Sequence, residues 1–368
     1  MWRAIGLMSG TSLDGVDAAW IETDGITVGR LGKRLTLSYP EALRTRLRAI
    51  LDRAATLPAD DPELNAVATE LTEWHAKAVA ALGEAADVIG MHGQTILHRP
   101  DARRTWQIGD AAWLAERTGI PVVHDFRSAD LAAGGQGAPL APVFHAALAK
   151  ALERPLAVLN IGGVANATWI GPGDRLVAFD TGPGNGPLDD WMRQKTGRPY
   201  DAEGALARSG RVDEAILARL LAHPYFARPG PKSLDRLAFS GWLTSSGLDA
   251  LGAGDGAATL AAFTASAAAR APFPAPPRRW LIAGGGRRNG AIMQALGEAS
   301  GRPVEPVEVV GWDGDALEAQ CFGFLAARVL AGLPLTFPET TGVARPLGGG
   351  RLAAPGNHSG LRQNQGRT

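Results

Sequence analysis

The chain has 368 residues, enough for two domains with separate hydrophobic cores. Lysine plus arginine and aspartate plus glutamate both number 37, so no basic surface is expected for nucleic acid or for an acidic membrane. The single cysteine, Cys321, excludes an intrachain disulfide and favours a reducing, cytoplasmic location. Met1 lies directly before the first predicted strand, so no signal peptide is expected.

The first pattern along the chain is a glycine-rich turn between two short strands. Apolar residues alternate with small or polar ones over 5–8 and 16–21, which predicts a hairpin. Amides and hydroxyls in the turn suit a polyphosphate, while carboxylates hold its Mg²⁺ through water. An ordinary Gly/Ser/Asp hairpin is the alternative. The predicted ATP-binding residues are Ser9, Gly10, Thr11, Ser12, Asp14, Gly15 and Asp17, with Asp14 and Asp17 as the metal candidates.

The rest of the first half alternates helices and strands. The predicted elements are a third strand within 25–37, helices over 40–57, 62–82 and 110–117, and strands over 88–91, 105–108 and 121–125. Polar residues at the strand ends have the hydrogen-bonding pattern of a sugar site. The predicted substrate residues here are His92, Gln94, Thr95, Gln107 and Asp110. The histidine spacings do not suit zinc.

A glycine-rich connection over 133–139 marks the expected domain boundary, and the second half then repeats the plan of the first. The predicted elements are a hairpin over 155–170, strands over 176–180, 280–286 and 306–310, and helices over 187–196, 212–222, 256–270, from 289, and over 315–331. Each half opens with a glycine hairpin. This duplication is a stronger signal than any single motif and predicts a duplicated α/β fold.

The second half also has its own predicted site. Asp180 ends a strand beside glycines, where a carboxylate can take a proton during phosphoryl transfer, although capping of the next helix is the alternative. A triple-glycine turn before a helix start suits a purine and ribose lying against the backbone. The predicted nucleotide-binding residues are Gly162, Gly163, Gly182, Gly284, Gly285, Gly286 and Asn289; Asn185 and Glu318 are predicted to bind substrate, a solvated helix face being the commoner outcome for Glu318.

Seven motifs occur in an order that resembles the anhydro-N-acetylmuramic acid kinase family, over about residues 5–350. They cover 8–17, 92–95, 107–110, 134–140, 160–163, 180–185 and 284–289. The resemblance implies an actin-like ATPase (ribonuclease H-like) fold, duplicated, with two domains around a nucleotide cleft. The expected organisation is an N-terminal domain over 1–130 with 336–352 packing back on it, a C-terminal domain over 131–335, and a disordered tail over 353–368.

The same resemblance implies an ATP- and Mg²⁺-dependent kinase of cell-wall sugar recycling, with a homodimeric assembly. Asp180 would activate a water that attacks C1 of 1,6-anhydro-N-acetylmuramic acid, while O6 leaves C1 and takes the γ-phosphate. One loop departs from the family pattern. Where many members read Lys-Ser-Thr-Gly-Arg-Glu, this chain has Lys-Ser-Leu-Asp-Arg-Leu over 232–237.

Three other functions fit parts of the pattern. A levoglucosan kinase carries a related signature, and loop residues around the sugar would decide between the two substrates. An ATP-driven binding protein such as Hsp70 or actin would need a partner-binding domain or polymer contacts, and none is recognisable in the sequence. A sugar-responsive repressor would need a helix-turn-helix before the first strand, and none is present there.

Overall fold

The computed structural model describes residues 1–10, 12–234 and 239–356. The chain divides into two compact units, each built around its own β-sheet. The first unit comprises 1–148, 316–338 and the chain from 343 onward, and the second comprises 149–315 and 339–342. The domain bounds expected from the sequence stay a prediction.

Within the described residues the strands alternate with helices in both units. The strands are β1 (Trp2–Ser9), β2 (Gly15–Thr23), β3 (Val28–Ser38), β4 (Val88–Arg99), β5 (Arg104–Ile108), β6 (Val122–His124), β7 (Leu156–Ile161), β8 (Val164–Ile170), β9 (Leu176–Pro183), β10 (Trp280–Ala283), β11 (Val304–Pro306) and β12 (Arg351–Ala353). The helices are α1 (Glu41–Arg53), α2 (Pro62–Leu82), α3 (Ala111–Thr118), α4 (Ser128–Ala132), α5 (Pro142–Leu148), α6 (Gly186–Thr196), α7 (Ala205–Ser209), α8 (Glu214–Leu221), α9 (Ser240–Ser245), α10 (Ala253–Ala269), α11 (Gly290–Ser300), α12 (Leu317–Leu330) and α13 (Pro338–Thr341).

The two sheets share one strand order. In the first unit β3, β2 and β1 form an antiparallel meander, β4 runs parallel to β1, and β6 runs parallel to β4. In the second unit β9, β8 and β7 form the same meander, followed by β10 and β11 in parallel. When β5 and β12, which have no counterpart in the second sheet, are set aside, the strands of both units are arranged in the order 3-2-1-4-5. This is the topology of a ribonuclease H-like fold, so the predicted duplicated α/β fold is confirmed.

Helix α2 shows how the local sequence sets an element. Asp61 accepts a hydrogen bond from the amide of Leu64 and so caps the helix, and Pro62 occupies the first turn. The helix ends at Gly83, whose φ of +65° favours glycine. Its buried face includes Leu64, Leu71 and His75, which places a histidine inside the core of the first unit.

Helix α12 lies unusually close to the first sheet because two strands carry glycine beneath it. A Cβ atom at Gly6 of β1 would overlap the carbonyl oxygen of Ala319, and one at Gly90 of β4 would overlap that of Phe322. Any larger residue at these positions would push the helix away from the sheet. The start of α12, and with it Glu318, is thereby held over β1 and β4.

Several boundaries differ from the sequence-based prediction. Strand β4 continues beyond His92 to Arg99, because a register shift at the end of β1 lets it turn and pair with β5. Strand β9 likewise continues to Pro183, since it follows β8 to the glycine turn. The last strand of the second sheet covers only Val304–Pro306, and a 3₁₀ turn replaces the rest of the predicted strand.

The predicted disordered tail begins too early. Ala353 belongs to β12 and pairs with Val122 of β6, so it is an ordered part of the first sheet. Gly356 then donates its amide to the carboxylate of Glu116. The prediction was based on the polar composition of the residues after Ala353, and composition does not show that the backbone at Ala353 pairs with β6. The predicted tail residues 357–368 lie outside the described part of the chain.

Among the described helices, none is both long and apolar enough to cross a lipid bilayer.

Candidate active site

The turn between β1 and β2 exposes part of its predicted phosphate-binding set. The amide of Leu13 donates to the carbonyl of Gly10 at 3.1 Å, and the Leu13 side chain is buried beneath the turn. Ser12 and Asp14 are exposed, and Gly10 is half-buried. Thr11, also predicted to bind ATP, lies outside the described residues. The turn therefore exposes a hydroxyl and a carboxylate, and its backbone is held by the buried Leu13 side chain and the Leu13–Gly10 hydrogen bond.

Other residues of this hairpin are held by contacts within the unit. Thr36 donates its hydroxyl to Asp17 at 2.6 Å, and Arg44 lies 4.0 Å from Asp14. A Cβ atom on Gly15 would overlap the backbone of Leu37, so this glycine is required by the β2–β3 pairing. Asp17 is thus a carboxylate with a fixed orientation, whereas Asp14 is 71% exposed.

Ser9 differs from its neighbours because it is buried. Its Oγ lies 2.9 Å from the Tyr39 hydroxyl and 3.1 Å from Nε2 of His75. Nδ1 of His75 lies 2.8 Å from the carbonyl oxygen of Leu71, which can only accept. Nδ1 therefore carries the proton, Ser9 donates to Nε2, and Tyr39 donates to Ser9. Burial lowers the pKa of His75 to about 4, which keeps the ring neutral. This network anchors the strand end that leads into the turn.

The predicted sugar-binding residues of the first half lie next to this network. Ser9 pairs with Gln94 across β1 and β4. Gln94 is fully buried, and its Oε1 has no hydrogen-bond partner among the described residues, which is unusual for a native side chain. On the adjoining strand, Gln107 donates to Thr95 at 3.1 Å and to Thr105 at 2.7 Å. The β4–β5 ladder therefore brings three of the predicted substrate residues together.

His92 is buried and held by an arginine that sequence reasoning did not single out. Nη2 of Arg127 lies 2.9 Å from Nε2 of His92, so Nε2 accepts and Nδ1 donates to the carbonyl of Gly93 at 2.8 Å. Burial and the neighbouring guanidinium hold the pKa of His92 well below its ordinary value. Arg127 also donates to the carbonyl of Gly137. Its position just after β6, at the carboxyl end of a strand, was the signal available in the sequence.

A concave pocket of about 300 Å³ opens beside these residues in the first unit. Its polar lining includes His92, Thr105, Gln107, His124, Asp125 and Arg351. Asp125 and Arg351 form an ion pair at 3.1 Å across the wall of the pocket. Polar groups with fixed orientation in a pocket of this size are suited to binding hydroxyl groups of a sugar.

Two further predicted substrate residues lie at helix starts. Asp110 is exposed and accepts a hydrogen bond from the amide of Trp113 at 2.9 Å, so it caps α3. Its own amide donates to Thr72. Glu318 is exposed in the first turn of α12. Both carboxylates face solvent in the first unit.

The second glycine turn, between β7 and β8, is held by backbone hydrogen bonds. Gly162 donates to the carbonyl of Val164 at 3.2 Å and accepts from the amide of Asn185 at 2.7 Å. The carbonyl of Gly163 accepts from Gly184 at 3.0 Å and from Gly186 at 3.1 Å. The turn is therefore tied to the segment that follows β9 and begins α6.

The triple-glycine turn after β10 lies against this same region. Gly284 has a φ of +71°, and a Cβ atom there would overlap Oδ1 of Asn160. The side chain of Asn185 donates to the carbonyl of Ile161 at 3.1 Å and lies close to Gly285. The second unit thus groups both of its glycine turns with Asn185 at one end of the sheet.

Asn289 and Gly182 have clear structural partners. Oδ1 of Asn289 accepts from the amides of Ala291 and Ile292, both at 3.1 Å, and so caps α11. Gly182 is buried, with Phe226 packed where a side chain would start. Their predicted contact with nucleotide stays a prediction.

Asp180 lies in β9 three residues before Pro183, at the end of the sheet that carries the glycine turns. Its amide donates to the carbonyl of Lys232 at 3.0 Å, and its Oδ2 accepts from the amide of Leu234 at 2.7 Å. The Tyr225 hydroxyl donates to the Asp180 carbonyl at 2.6 Å. These contacts, rather than the start of α6, fix the carboxylate. The alternative of a helix cap is not supported, because no side-chain cap was found at α6.

Within the part of the chain that the structure describes, no cluster of three or more His, Cys, Asp or Glu side chains is arranged to hold a metal. Cys321 is buried in α12, and burial raises the pKa of its thiol.

The chain matches known proteins over almost its whole length. The family described as anhydro-N-acetylmuramic acid kinase matches residues 2–353. A protein of that name from Acidiphilium cryptum is 67% identical, with 96% of this chain and 99% of the relative covered. One from Rhodospirillum rubrum is 59% identical, with 94% and 93% covered, and one from Gluconobacter oxydans is 59% identical, with 95% and 99% covered. The chain therefore belongs to the anhydro-N-acetylmuramic acid kinase family.

Proposed function

We propose that this chain is an ATP-dependent kinase that hydrolytically opens the 1,6-anhydro ring of 1,6-anhydro-N-acetylmuramic acid and phosphorylates O6. The products are N-acetylmuramic acid 6-phosphate and ADP. Family membership supports the reaction class, and the names of the relatives support the sugar. The observation that carries the mechanism is the carboxylate of Asp180, oriented by the amide of Leu234 at the end of the second sheet.

In this mechanism the Asp180 carboxylate takes a proton from water, and the water oxygen attacks C1 of the sugar. The C1–O6 bond breaks, and O6 forms its new bond to the γ-phosphorus as ADP leaves. The phosphoryl group removes the negative charge that develops on O6, so no separate general acid is needed. Holding water, sugar and phosphate in line supplies much of the rate enhancement.

The nucleotide is assigned to the glycine turns. In the first unit, the candidates for phosphate binding are the exposed turn residues and the backbone around Gly10. In the second unit, they are Gly162, Gly163 and Gly182, with Gly284 to Gly286 and Asn289 for the adenosine. The two turns after β7 and β10 lie together in the second unit, which supports one shared ligand there.

Mg²⁺ would neutralise phosphate charge during transfer. The donor set fits it: Asp14 and Asp17 offer hard carboxylate oxygens, and the exposure of Asp14 leaves room for metal-bound water. The proposal also includes a cytoplasmic location and a homodimer, the latter testable by sedimentation.

The sugar is assigned to the first-unit residues His92, Gln94, Thr95, Gln107, Asp110 and Glu318, and to Asn185 of the second unit. The orphaned Oε1 of buried Gln94 and the polar pocket beside Gln107 support this assignment. An acceptor without a partner is satisfied when a ligand donates to it.

The test uses the purified full chain with ATP and Mg²⁺ and three conditions: the anhydro-muramic sugar, levoglucosan, and no sugar. The expected result is ADP release dependent on the anhydro-muramic sugar, with a product heavier by one phosphoryl group and one water. Faster turnover of levoglucosan would reassign the substrate. ADP release that is equal in all three conditions would contradict the kinase function.

A further inference from the structure

The segment from Tyr225 to Leu234 wraps around Asp180 in the second unit. It contacts the aspartate at its amide, its carbonyl and its carboxylate, through Lys232, Tyr225 and Leu234 respectively. These hydrogen bonds span 2.6–3.0 Å, so the segment, together with the pairing of β9 with β8, fixes the position of Asp180. Whatever holds the segment closed therefore also holds the carboxylate.

The side chain of Lys232 holds the segment from Tyr225 to Leu234 in a closed loop. Nζ donates to the carbonyls of Tyr225 and Arg228, both at 2.9 Å, and lies 4.4 Å from the centre of the Tyr225 ring. Lys232 is only 3% exposed. Lysine is rarely buried without a charged or carbonyl partner, because removing an ammonium group from water is costly. Two carbonyls and a nearby carboxylate offset that cost here.

We propose that Lys232 is a positioning residue for the reaction: it ties residues 225–234 into a closed loop whose Leu234 amide orients the Asp180 carboxylate. The inference rests on the proposed role of Asp180 as the base. Lys232 does not touch the reacting atoms in this account. It acts through the loop and through its positive charge.

The same geometry explains why the chain tolerates a departure from the family pattern. Leu234 occupies the position where many members have threonine. Its contact with Asp180 uses the backbone amide, which every residue except proline provides. The side chain at 234 can therefore change without loss of the contact. Residues 235–238, where the other departures fall, lie outside the described part of the chain.

The charged and titratable groups near Lys232 act in opposite directions. Burial and, to a smaller extent, Arg228 lower the pKa of Lys232 while Asp180 raises it, and the net pKa is about 8. The Tyr225 hydroxyl is kept protonated, because burial and Asp180 raise its pKa. The attraction between Lys232 and Asp180 is mutual, so loss of the lysine charge and displacement of the Leu234 amide both favour the protonated carboxyl.

The test compares four variants of the full enzyme. Lys232→Met removes the ammonium but keeps much of the side-chain volume, and Leu234→Pro removes the amide proton directly. Leu234→Thr keeps the amide, and Arg228→Gln removes an exposed cation of the same loop while its carbonyl remains. Measurements are kcat, KM for ATP, and the dependence of kcat/KM on pH.

Lys232→Met is expected to lower kcat by about 10²-fold, since small misplacements of a catalytic group have effects of that size. KM for ATP should stay unchanged, and the acidic limb of the pH profile should move to higher pH. Leu234→Pro should reproduce both effects. Leu234→Thr and Arg228→Gln should keep the wild-type kcat and the wild-type position of the acidic limb. If Lys232→Met does not fold, the comparison of Leu234→Pro with Leu234→Thr tests the role of the Leu234 amide.

Wild-type kcat with an unmoved acidic limb in Lys232→Met, or in Leu234→Pro, would overturn the inference. So would an equal loss in Arg228→Gln, because that would point to general loop disruption. Asp180→Asn separates the two proposals. Full turnover in Asp180→Asn would refute the base itself, whereas an inactive Asp180→Asn beside a fully active Lys232→Met would refute only the positioning role.

Discussion

The two sheets have the same strand order but carry their carboxylates on different strands. In the first sheet Asp17 of β2 pairs with Thr36 of β3. In the second sheet the corresponding pair is Asn166 of β8 and Asp180 of β9, after a register shift that skips Thr181. Each duplicated position thus holds one acid, on the middle strand in one copy and on the outer strand in the other. The two copies thus place different side chains at matching positions of one framework.

The glycine turns are also supported differently. The strand end before the first turn is anchored by the side chains of Ser9, Tyr39 and His75. The end of the same turn is held by a hydrogen bond from the Tyr39 amide to the Asp14 carbonyl. The second turn is tied by main-chain bonds from residues 184–186. Support of the first turn therefore depends on a titratable ring, whereas support of the second comes from main-chain bonds and the amide side chain of Asn185, which does not titrate.

The largest effect is expected from exchanging the two acids for amides separately. Asp180→Asn should keep the fold and ATP binding but lower kcat by on the order of 10²–10⁴-fold, because an amide cannot take the proton. Asp17→Asn should act mainly on the Mg²⁺ concentration needed for half-maximal rate. Steady-state kinetics over a range of Mg²⁺ concentrations measures both.

If Asp180→Asn turned over the sugar at the wild-type rate, Asp180 would be a structural residue and the contrast between the acids would disappear. An equal loss of kcat in Asp17→Asn would show that the two positions act alike.

The next prediction compares how a valine at each glycine turn changes the stability of the protein. A Cβ atom at Gly184 would overlap the carbonyl oxygen of Gly162, so Gly184→Val should lower the free energy of unfolding by about 3 kcal/mol. At Gly10 the contacts of such an atom with described residues are all with Ser12, 3.6 Å or more away. Gly10→Val should therefore leave stability unchanged while weakening binding of ATP with Mg²⁺, because the side chain blocks approach of phosphate to the backbone.

Urea denaturation and calorimetric titration with ATP and Mg²⁺ check this pair. Undiminished affinity in Gly10→Val would mean that the first turn does not bind the nucleotide. A stable Gly184→Val would show that the second turn is less constrained than its hydrogen bonds indicate.

The smallest effect concerns pH. The folded-state pKa of His75, about 4, is below its unfolded value near 6.5, so the unfolded chain binds more protons between these values. The free energy of unfolding should therefore fall as pH is lowered, with His75 contributing about 2 kcal/mol between pH 7 and pH 5. His75→Gln should remove that part of the slope and also weaken ATP binding through Ser9.

His145 is the matched control, since burial also lowers its pKa to about 4. His145→Gln should remove a similar part of the slope but leave ATP affinity intact. If both variants bind ATP equally well, the side-chain anchor of the first turn has no role in nucleotide binding.

The succession of strands and helices along the chain and both glycine hairpins could be predicted, because alternation and turn residues are local signals. Strand ends were harder: β4 extends past His92 only because β5 is there to pair with it. The supports of the site could not be predicted at all. His75 reaches Ser9 from 66 residues away, and Leu234 reaches Asp180 from 54 residues away, through packing that no local pattern encodes. Arg127 carried a weak signal, since it follows a strand end.

The central claim is that Asp180 directs one water to C1 of the sugar while O6 carries the phosphate, and oxygen labelling tests it most directly. The reaction is run in ¹⁸O-labelled water, and the fresh product is read by mass spectrometry before the free sugar exchanges its anomeric oxygen. The account predicts label at the anomeric position and none in the phosphate. Label in the phosphate would mean plain ATP hydrolysis, and an unlabelled sugar phosphate with its anhydro ring intact would mean an ordinary hydroxyl kinase; either result would contradict the account.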